Sequence, residues 1–338
     1  MAKMRYADAL TLALREEMNR DESVFIIGEE VGQYLGTLQV TKGFLAEYGP
    51  NRVVDTPISE VGIIGLGIGA AMAGLRPICE MMRMDFALPA YDQIAQHAAK
   101  IRYMFGGQFK VPMVIRGPSG VGNQLSAQHS QAIEVLFAHC PGLKVVLPAT
   151  PGDAKGLLKS AIRDENPVIF LETLKLYFEK AENLEKIQEG LSEVPEDPEY
   201  TVPLGKANVL REGKDVTIIA YSRMVIESLK AANKLAQDGI MAEVIDLRCL
   251  LPLDMATPLA SIKKTHRAVV VQEQWGLYGA AAEVSAQIAE RAFYDLDAPV
   301  QRVTGAFVPM PYSKALENLA TPTEDDIVTA VKRTLGGK

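Results

Sequence analysis

Glu60 and His129 are the residues whose types and settings could do proton chemistry in this chain. Glu60 opens a run, Val61 to Leu75, that contains no charge. A carboxyl held among apolar side chains is desolvated, which favours its protonated form and suits it to general acid–base work. Read without context, Glu60 is a first-turn acid that favours a helix dipole. His129, in SAQHSQ, is a lone histidine in a polar loop. Its imidazole titrates near neutrality and can pass protons; read without context, it is a surface or capping residue. Glu29 and Glu30 follow the β-run Val24 to Ile27. Acids at the carboxyl end of a buried strand stand where α/β folds place their chemistry, and a solvated loop is the alternative.

The element that must position Glu60 lies in Asp55 to Glu80, DTPISEVGIIGLGIGAAMAGLRPICE. Ser59 suits an N-cap, because its hydroxyl can accept a bond from a first-turn amide. The run that follows is apolar on all sides, which predicts a buried helix. Its fifteen residues fall short of the roughly 20 that a membrane span needs. Each interior glycine costs about 1 kcal/mol of helix propensity. Gly65, Gly69 and Ala73 give a small residue at every fourth position, so close backbone approach to another helix is expected to compensate.

Around this helix, periodicity predicts strands alternating with helices. A helix is expected over 4–20, then a β-run over 24–27 and a loop over 32–43. A strand over 76–82, a second helix over 89–105 and a strand over 111–115 follow. Strands over 144–147 and 168–171 flank a helix over 151–163. From Glu182 to Gly205 the apolar pattern stops in an acidic stretch with Pro195, Pro198 and Pro203, which marks a linker. The alternation then resumes and ends in a helix that starts at Thr323. The reading is an α/β protein of two domains, 1–185 and 205–338, joined by 186–204; each is a mostly parallel sheet flanked by helices.

Composition narrows the function. With 48% apolar and 23% charged residues this is an ordinary globular composition, and a net charge of −7 without a basic patch argues against a nucleic-acid partner. Cys79, Cys140 and Cys249 show no disulfide framework or zinc spacing, which points to a reducing compartment. The start, MAKMRYADAL, shows neither signal-peptide nor transit-peptide character. A cytoplasmic (bacterial) or plastid-stromal location is expected, with no membrane partner.

The spacing of Glu60, Gly65, apolar Leu66 and Gly69 resembles the pyrimidine-side motif of thiamine diphosphate enzymes. The whole chain resembles the beta subunits of the first component of 2-oxoacid dehydrogenase complexes, most closely the pyruvate dehydrogenase type of bacteria and plastids. The motifs are DTPISEVGIIGLGIGAAMAG, GPSGVGNQLSAQHSQ, HCPGLKVVLPATPGDAKGLLKSAIRDENP, VIDLRCLLPLD and VTGAFVPMPYSK. The resemblance implies a transketolase-like pyrimidine-binding domain followed by a transketolase-type carboxyl-terminal domain. Glu60 would meet a ring nitrogen of the cofactor's aminopyrimidine. Met82 and Phe86 would wall that ring, although Met82 reads equally as core filling. His129 would stand over the thiazolium, orienting substrate or moving protons during acyl transfer. His97, His139 and His266 match no catalytic position.

The resemblance also implies a potassium ion held by Met113, Ala161, Ile162, Asp164 and Asn166. The companion motif for magnesium and diphosphate, Gly-Asp-Gly, does not occur in the sequence. Half of a cofactor site is therefore expected, completed by an alpha subunit in a heterotetramer of two alpha and two beta chains. The implied activity is decarboxylation of pyruvate and transfer of the acetyl group to a lipoyl group of dihydrolipoyl acetyltransferase. A branched-chain or acetoin-cleaving sister is the nearest alternative. A non-catalytic scaffold subunit is an alternative of another class, and the presence of both Glu60 and His129 argues against it.

Overall fold

Runs such as Val24-Phe25-Ile26-Ile27 and Val168-Ile169-Phe170-Leu171 are apolar at successive positions, as strands buried on both faces must be. The computed structural model of the chain describes residues 1–34, 36 and 38–336. Residues 35 and 37 of the expected loop over 32–43, and residues 337 and 338, lie outside the described residues.

The first half runs β1 (Ala2–Lys3), α1 (Tyr6–Arg20), β2 (Val24–Gly28), α2 (Phe44–Tyr48), β3 (Val53–Asp55), α3 (Glu60–Met72) and β4 (Arg76–Glu80). It continues with α4 (Ile101–Met104), β5 (Val114–Ser119), α5 (Glu134–Ala138), β6 (Lys144–Val146), α6 (Pro151–Arg163) and β7 (Val168–Thr173). Then come α7 (Leu174–Tyr177), α8 (Ala181–Ile187) and β8 (Glu193–Val194). The second half runs β9 (Asn208–Arg211), β10 (Val216–Ala220), α9 (Arg223–Gln237), β11 (Ala242–Asp246), β12 (Cys249–Leu251) and α10 (Ala256–Thr265). It closes with β13 (Ala268–Trp275), α11 (Ala280–Ala292), β14 (Gln301–Gly305), α12 (Lys314–Ala320) and α13 (Glu324–Thr334).

Two sheets organise these elements: seven strands in the order β12-β6-β7-β5-β4-β2-β3, and five in the order β14-β13-β10-β11-β9. Within these two sheets the pairings among the described residues are parallel except those of β12 and β9, the antiparallel edges. Successive strand residues serve opposite faces. Ile26, Ile78, Val114 and Val168 join the core under α1 and α6, whereas Ile27, Cys79, Ile115 and Ile169 join the core under α3. The strand β12 comes from the second half of the chain yet lies on the first sheet, so the two halves share a core.

Local signals explain the helix ends that hold. Thr150 accepts the Asp153 N–H with Pro151 at the first helical position of α6, and Thr323 with Asp326 forms a capping box on α13. Other expectations are corrected. The single helix over 89–105 is instead a π-helical stretch, Gln93–Ala98, followed by α4, and Phe105 is exposed. The stretch expected as a linker or boundary loop carries the end of α8 and β8, and β8 pairs with β1. The helix α3 is not buried all round: Ile63, Ile64, Gly67, Ile68 and Ala71 face the core, while Val61 and Leu66 are 47% and 64% exposed. Ser59 sits at the N-cap of α3 without a side-chain cap bond. Among the described residues no helix is long and apolar enough to cross a membrane.

Candidate active site

Four neighbouring parallel strands, β3, β2, β4 and β5, end at one edge of the seven-stranded sheet. Their registers align these ends: Gly28 pairs with both Asp55 and Glu80, and Glu80 with Arg116. Each candidate side chain follows one of these ends. Glu60 comes after β3, Glu29 after β2, Met82 and Phe86 after β4, and His129 after β5. The crevice beyond the carboxyl ends of parallel strands is where this architecture binds ligands.

Glu60 begins α3 and is half-buried; the chain alone does not enclose it in apolar surroundings as the sequence implied. Its charge reaches Glu29: burial raises the Glu29 carboxyl above its ordinary range, and Glu60 and then Glu30 push it further. Asp55 accepts the N–H groups of Gly32 and Gln33 at 2.6 and 2.8 Å, tying the segment after β2 to the end of β3. The glycine that lets α3 pack closely on the sheet is Gly67, where a Cβ would stand 2.5 Å from Cys79 Sγ. At Gly69 a Cβ would meet nothing within 4 Å, so that glycine faces outward.

Phe86 lies in the 3-10 turn Met84–Ala87 and His129 ends the turn Ala127–His129. The structure brings them together, with ring centroids 5.0 Å apart and planes at 88°. Edge-to-face contact of this kind is favoured by the ring quadrupoles. Met82 is half-buried just beyond β4. Arg83 and Asp85, both buried, stand beside Phe86 and were missed in the sequence.

A second missed group lies beneath the strand ends. Arg116 of β5 is 1% exposed and donates to Glu172 of β7 at 2.6 and 2.7 Å, to Glu80 of β4 and to the Tyr177 hydroxyl. Burial pushes the Glu80 carboxyl up against the opposing pull of Arg116. An open cleft of about 820 Å³ lies elsewhere, between α5, β12 and α11, with His139 in its wall, and none of the candidate residues lines it.

The residues expected to hold potassium lie at the end of α6 and just before β5 and β7, and their carbonyls already have partners. Arg76 Nη1 donates to Ile162 O and Asp164 O, both at 3.0 Å. Ala161 O accepts Asp164 N–H and Met113 O accepts Val168 N–H. The Asn166 amide is engaged by Asp164 and Arg102. A guanidinium nitrogen therefore lies on two of the carbonyls expected to face a metal ion.

Comparison with known proteins identifies the family and the fold. The family "Transketolase, pyrimidine binding domain" matches residues 2–179, and "Transketolase, C-terminal domain" matches residues 205–327. The mitochondrial pyruvate dehydrogenase E1 component subunit beta-1 of Arabidopsis thaliana is 51% identical, over 98% of this chain and 89% of its own length. The subunit beta of Drosophila melanogaster is 49% identical over 99% and 90%, and that of Rickettsia felis 49% over 96% of each. A solved chain described as "Split gene transketolase, inactive beta4 tetramer" shares the fold with a TM-score of 0.76 over 99% of both chains, at 25% identity. Two family matches spanning both halves, and identity near one half along nearly the whole length, place this chain in the pyruvate dehydrogenase E1 component beta-subunit family of thiamine diphosphate enzymes.

Proposed function

We propose that the chain supplies the pyrimidine side of a thiamine diphosphate site and, with an alpha subunit, decarboxylates pyruvate and passes the acetyl group to the lipoyl group of a dihydrolipoyl acetyltransferase. The observation that carries this reading is the placement of Glu60, Phe86 and His129 beyond the carboxyl ends of β3, β4 and β5 at one edge of the sheet, with the last two rings in contact. A half-buried carboxyl, an aromatic face and an imidazole form the donor set that an aminopyrimidine beside a 2-oxoacid needs.

Thiamine diphosphate, when bound, supplies the nucleophilic carbon and the electron sink for loss of carbon dioxide. The protein does the rest. The Glu60 carboxyl would meet a nitrogen of the pyrimidine ring and could exchange a proton with it. The Phe86 ring and the Met82 thioether give that ring apolar walls. The His129 imidazole orients the 2-oxoacid and moves a proton at the acyl oxygen. Magnesium and the diphosphate belong mainly to the alpha subunit, and the open face of α3, with Val61, Leu66 and Gly69, is the surface that subunit covers.

The same reading keeps residues 1–185 and 205–338 as the two units with 186–204 between them. It includes a potassium ion at Met113, Ala161, Ile162, Asp164 and Asn166, since a carbonyl that accepts one N–H keeps a second lone pair. Three unpaired cysteines suit a reducing compartment such as a bacterial cytoplasm or a plastid stroma. The test is to purify the chain with its alpha subunit and assay a panel of 2-oxoacids. Pyruvate is expected to turn over fastest, with none turned over by this chain alone. A preference for branched-chain acids, or turnover without the partner, would overturn the reading.

A further inference from the structure

The contact between Phe86 and His129 joins segments that leave different strands, and something must hold both. The segment between β5 and α5 is costly in itself: Asn123, Gln124 and Ser126 have positive φ of 63°, 57° and 66°, which non-glycine residues adopt at a cost. A loop of this kind persists only if its ends are fixed. Its neck is Gly120 and Gln131, whose backbones meet where Gly120 N–H donates to Gln131 O at 2.9 Å.

Both neck residues also meet one buried ion pair. Arg83 Nη2 donates to Gly120 O at 3.1 Å, and Gln131 N–H donates to Asp85 Oδ1 at 3.0 Å. Arg83 Nε donates to Asp85 Oδ2 at 2.9 Å, which closes the ring of bonds. Arg83 is 5% and Asp85 4% exposed. Burying such a pair adds little net stability, since desolvation offsets the attraction. Asp85 adjoins Phe86, and Gln131 is two positions beyond His129.

We propose that Arg83 and Asp85 are positioning residues: their ion pair grips both ends of the 120–131 loop and so sets His129 against Phe86. The functional consequence rests on the role given to His129 above; the geometric one does not. The test separates them by reading the ring resonances of His129 in the full chain with isotope-labelled histidine. Phe86→Leu identifies the ring-current shift that the contact produces. In Arg83→Met/Asp85→Leu the buried charges are replaced by apolar groups of similar size, which removes the ion pair together with its bonds to Gly120 O and the Gln131 N–H. The His129 signal is expected to move to its Phe86→Leu position, while those of His97, His139 and His266 stay. Arg83→Met/Asp85→Asn, which keeps an acceptor for Gln131 N–H, is expected to return it toward the native position. Should the first pair not fold, Arg83→Met alone, which still frees Gly120 O, is read in the same way.

An unmoved His129 signal in the folded variant overturns the proposal. With the alpha subunit present, the same variant is expected to lose about 10²-fold in kcat, the scale of a displaced catalytic group. A moved His129 signal with unchanged turnover supports the clamp and overturns the role of His129 instead.

Discussion

The Tyr221 hydroxyl donates to Glu134 Oε1 at 2.8 Å across the seam between the two halves of the molecule. Glu134 begins α5 and is 2% exposed, and its other oxygen has no partner among the described residues. Burial pushes this carboxyl from its ordinary 4.5 up to about 7; the Tyr221 bond and its own backbone oppose the rise, and Glu273 adds to it.

The sign follows from linkage. Between pH 4.5 and about 7 the folded chain holds a proton on Glu134 that the unfolded chain has released. This group therefore costs stability progressively as pH rises through that window, and no further above it. Glu134→Gln stays neutral and keeps an acceptor for Tyr221. Urea midpoints from pH 5 to pH 8 are expected to show the variant gaining on the native chain, by on the order of 3 kcal/mol at most. A difference between the two that does not change with pH would show that Glu134 stays ionised when buried.

What the sequence made legible divides along the reach of its signals. Residues 151–163 could be bounded correctly because a cap, a proline and a terminal charge all lie within the helix itself. The π-helical stretch Gln93–Ala98 could not, since helical periodicity is nearly the same for either winding. The edge strands β9 and β12 are short and gain their identity only from the neighbour they pair with. In the candidate site, each residue after a strand end was readable singly, but not its company. Arg116, Glu80 and Glu172 come from three strands, and register alone makes them one buried cluster. The face of α3 that carries Val61, Leu66 and Gly69 is open in the lone chain, and composition does not tell a core within the chain from a surface that a second chain would cover.

Gly69 turns that last point into an experiment. A Cβ there meets nothing within 4 Å, so Gly69→Leu has room in this chain. The lone subunit is expected to fold and to gain up to about 1 kcal/mol from helix propensity. Mixed with the alpha subunit, it is expected to fail in assembly, because an added side chain in a fitted contact typically costs about 1–3 kcal/mol. Sedimentation of the mixture decides. A normal heterotetramer would move the partner surface away from α3.

Arg76 Nη1 donates to Ile162 O and Asp164 O, two of the carbonyls that a potassium ion at this site would use. An ion at a hundredfold excess over its Kd stabilises a fold by about 2.7 kcal/mol. Melting in potassium chloride is expected at a higher temperature than in choline chloride of equal ionic strength. Equal melting of the native chain, with a potassium response only in Arg76→Gln, would give the structural charge to the guanidinium and remove the metal.

Glu60→Gln separates the catalytic from the structural reading of the α3 N-terminus. The amide keeps size and hydrogen bonding but cannot exchange a proton with a pyrimidine nitrogen. Loss of such a general acid–base contribution is commonly worth 10²–10⁴-fold, so decarboxylation by the assembled enzyme is expected to fall by about that factor. A mere first-turn acid would cost about 0.3–1 kcal/mol of stability and leave turnover alone. Because the Glu60 charge helps to raise the Glu29 carboxyl, the same substitution is expected to lower the pKa of Glu29. That shift, read by carboxyl NMR in the lone chain, confirms that the change reached the site without disturbing it. Turnover held at the native rate with a lowered melting temperature would return Glu60 to the helix dipole.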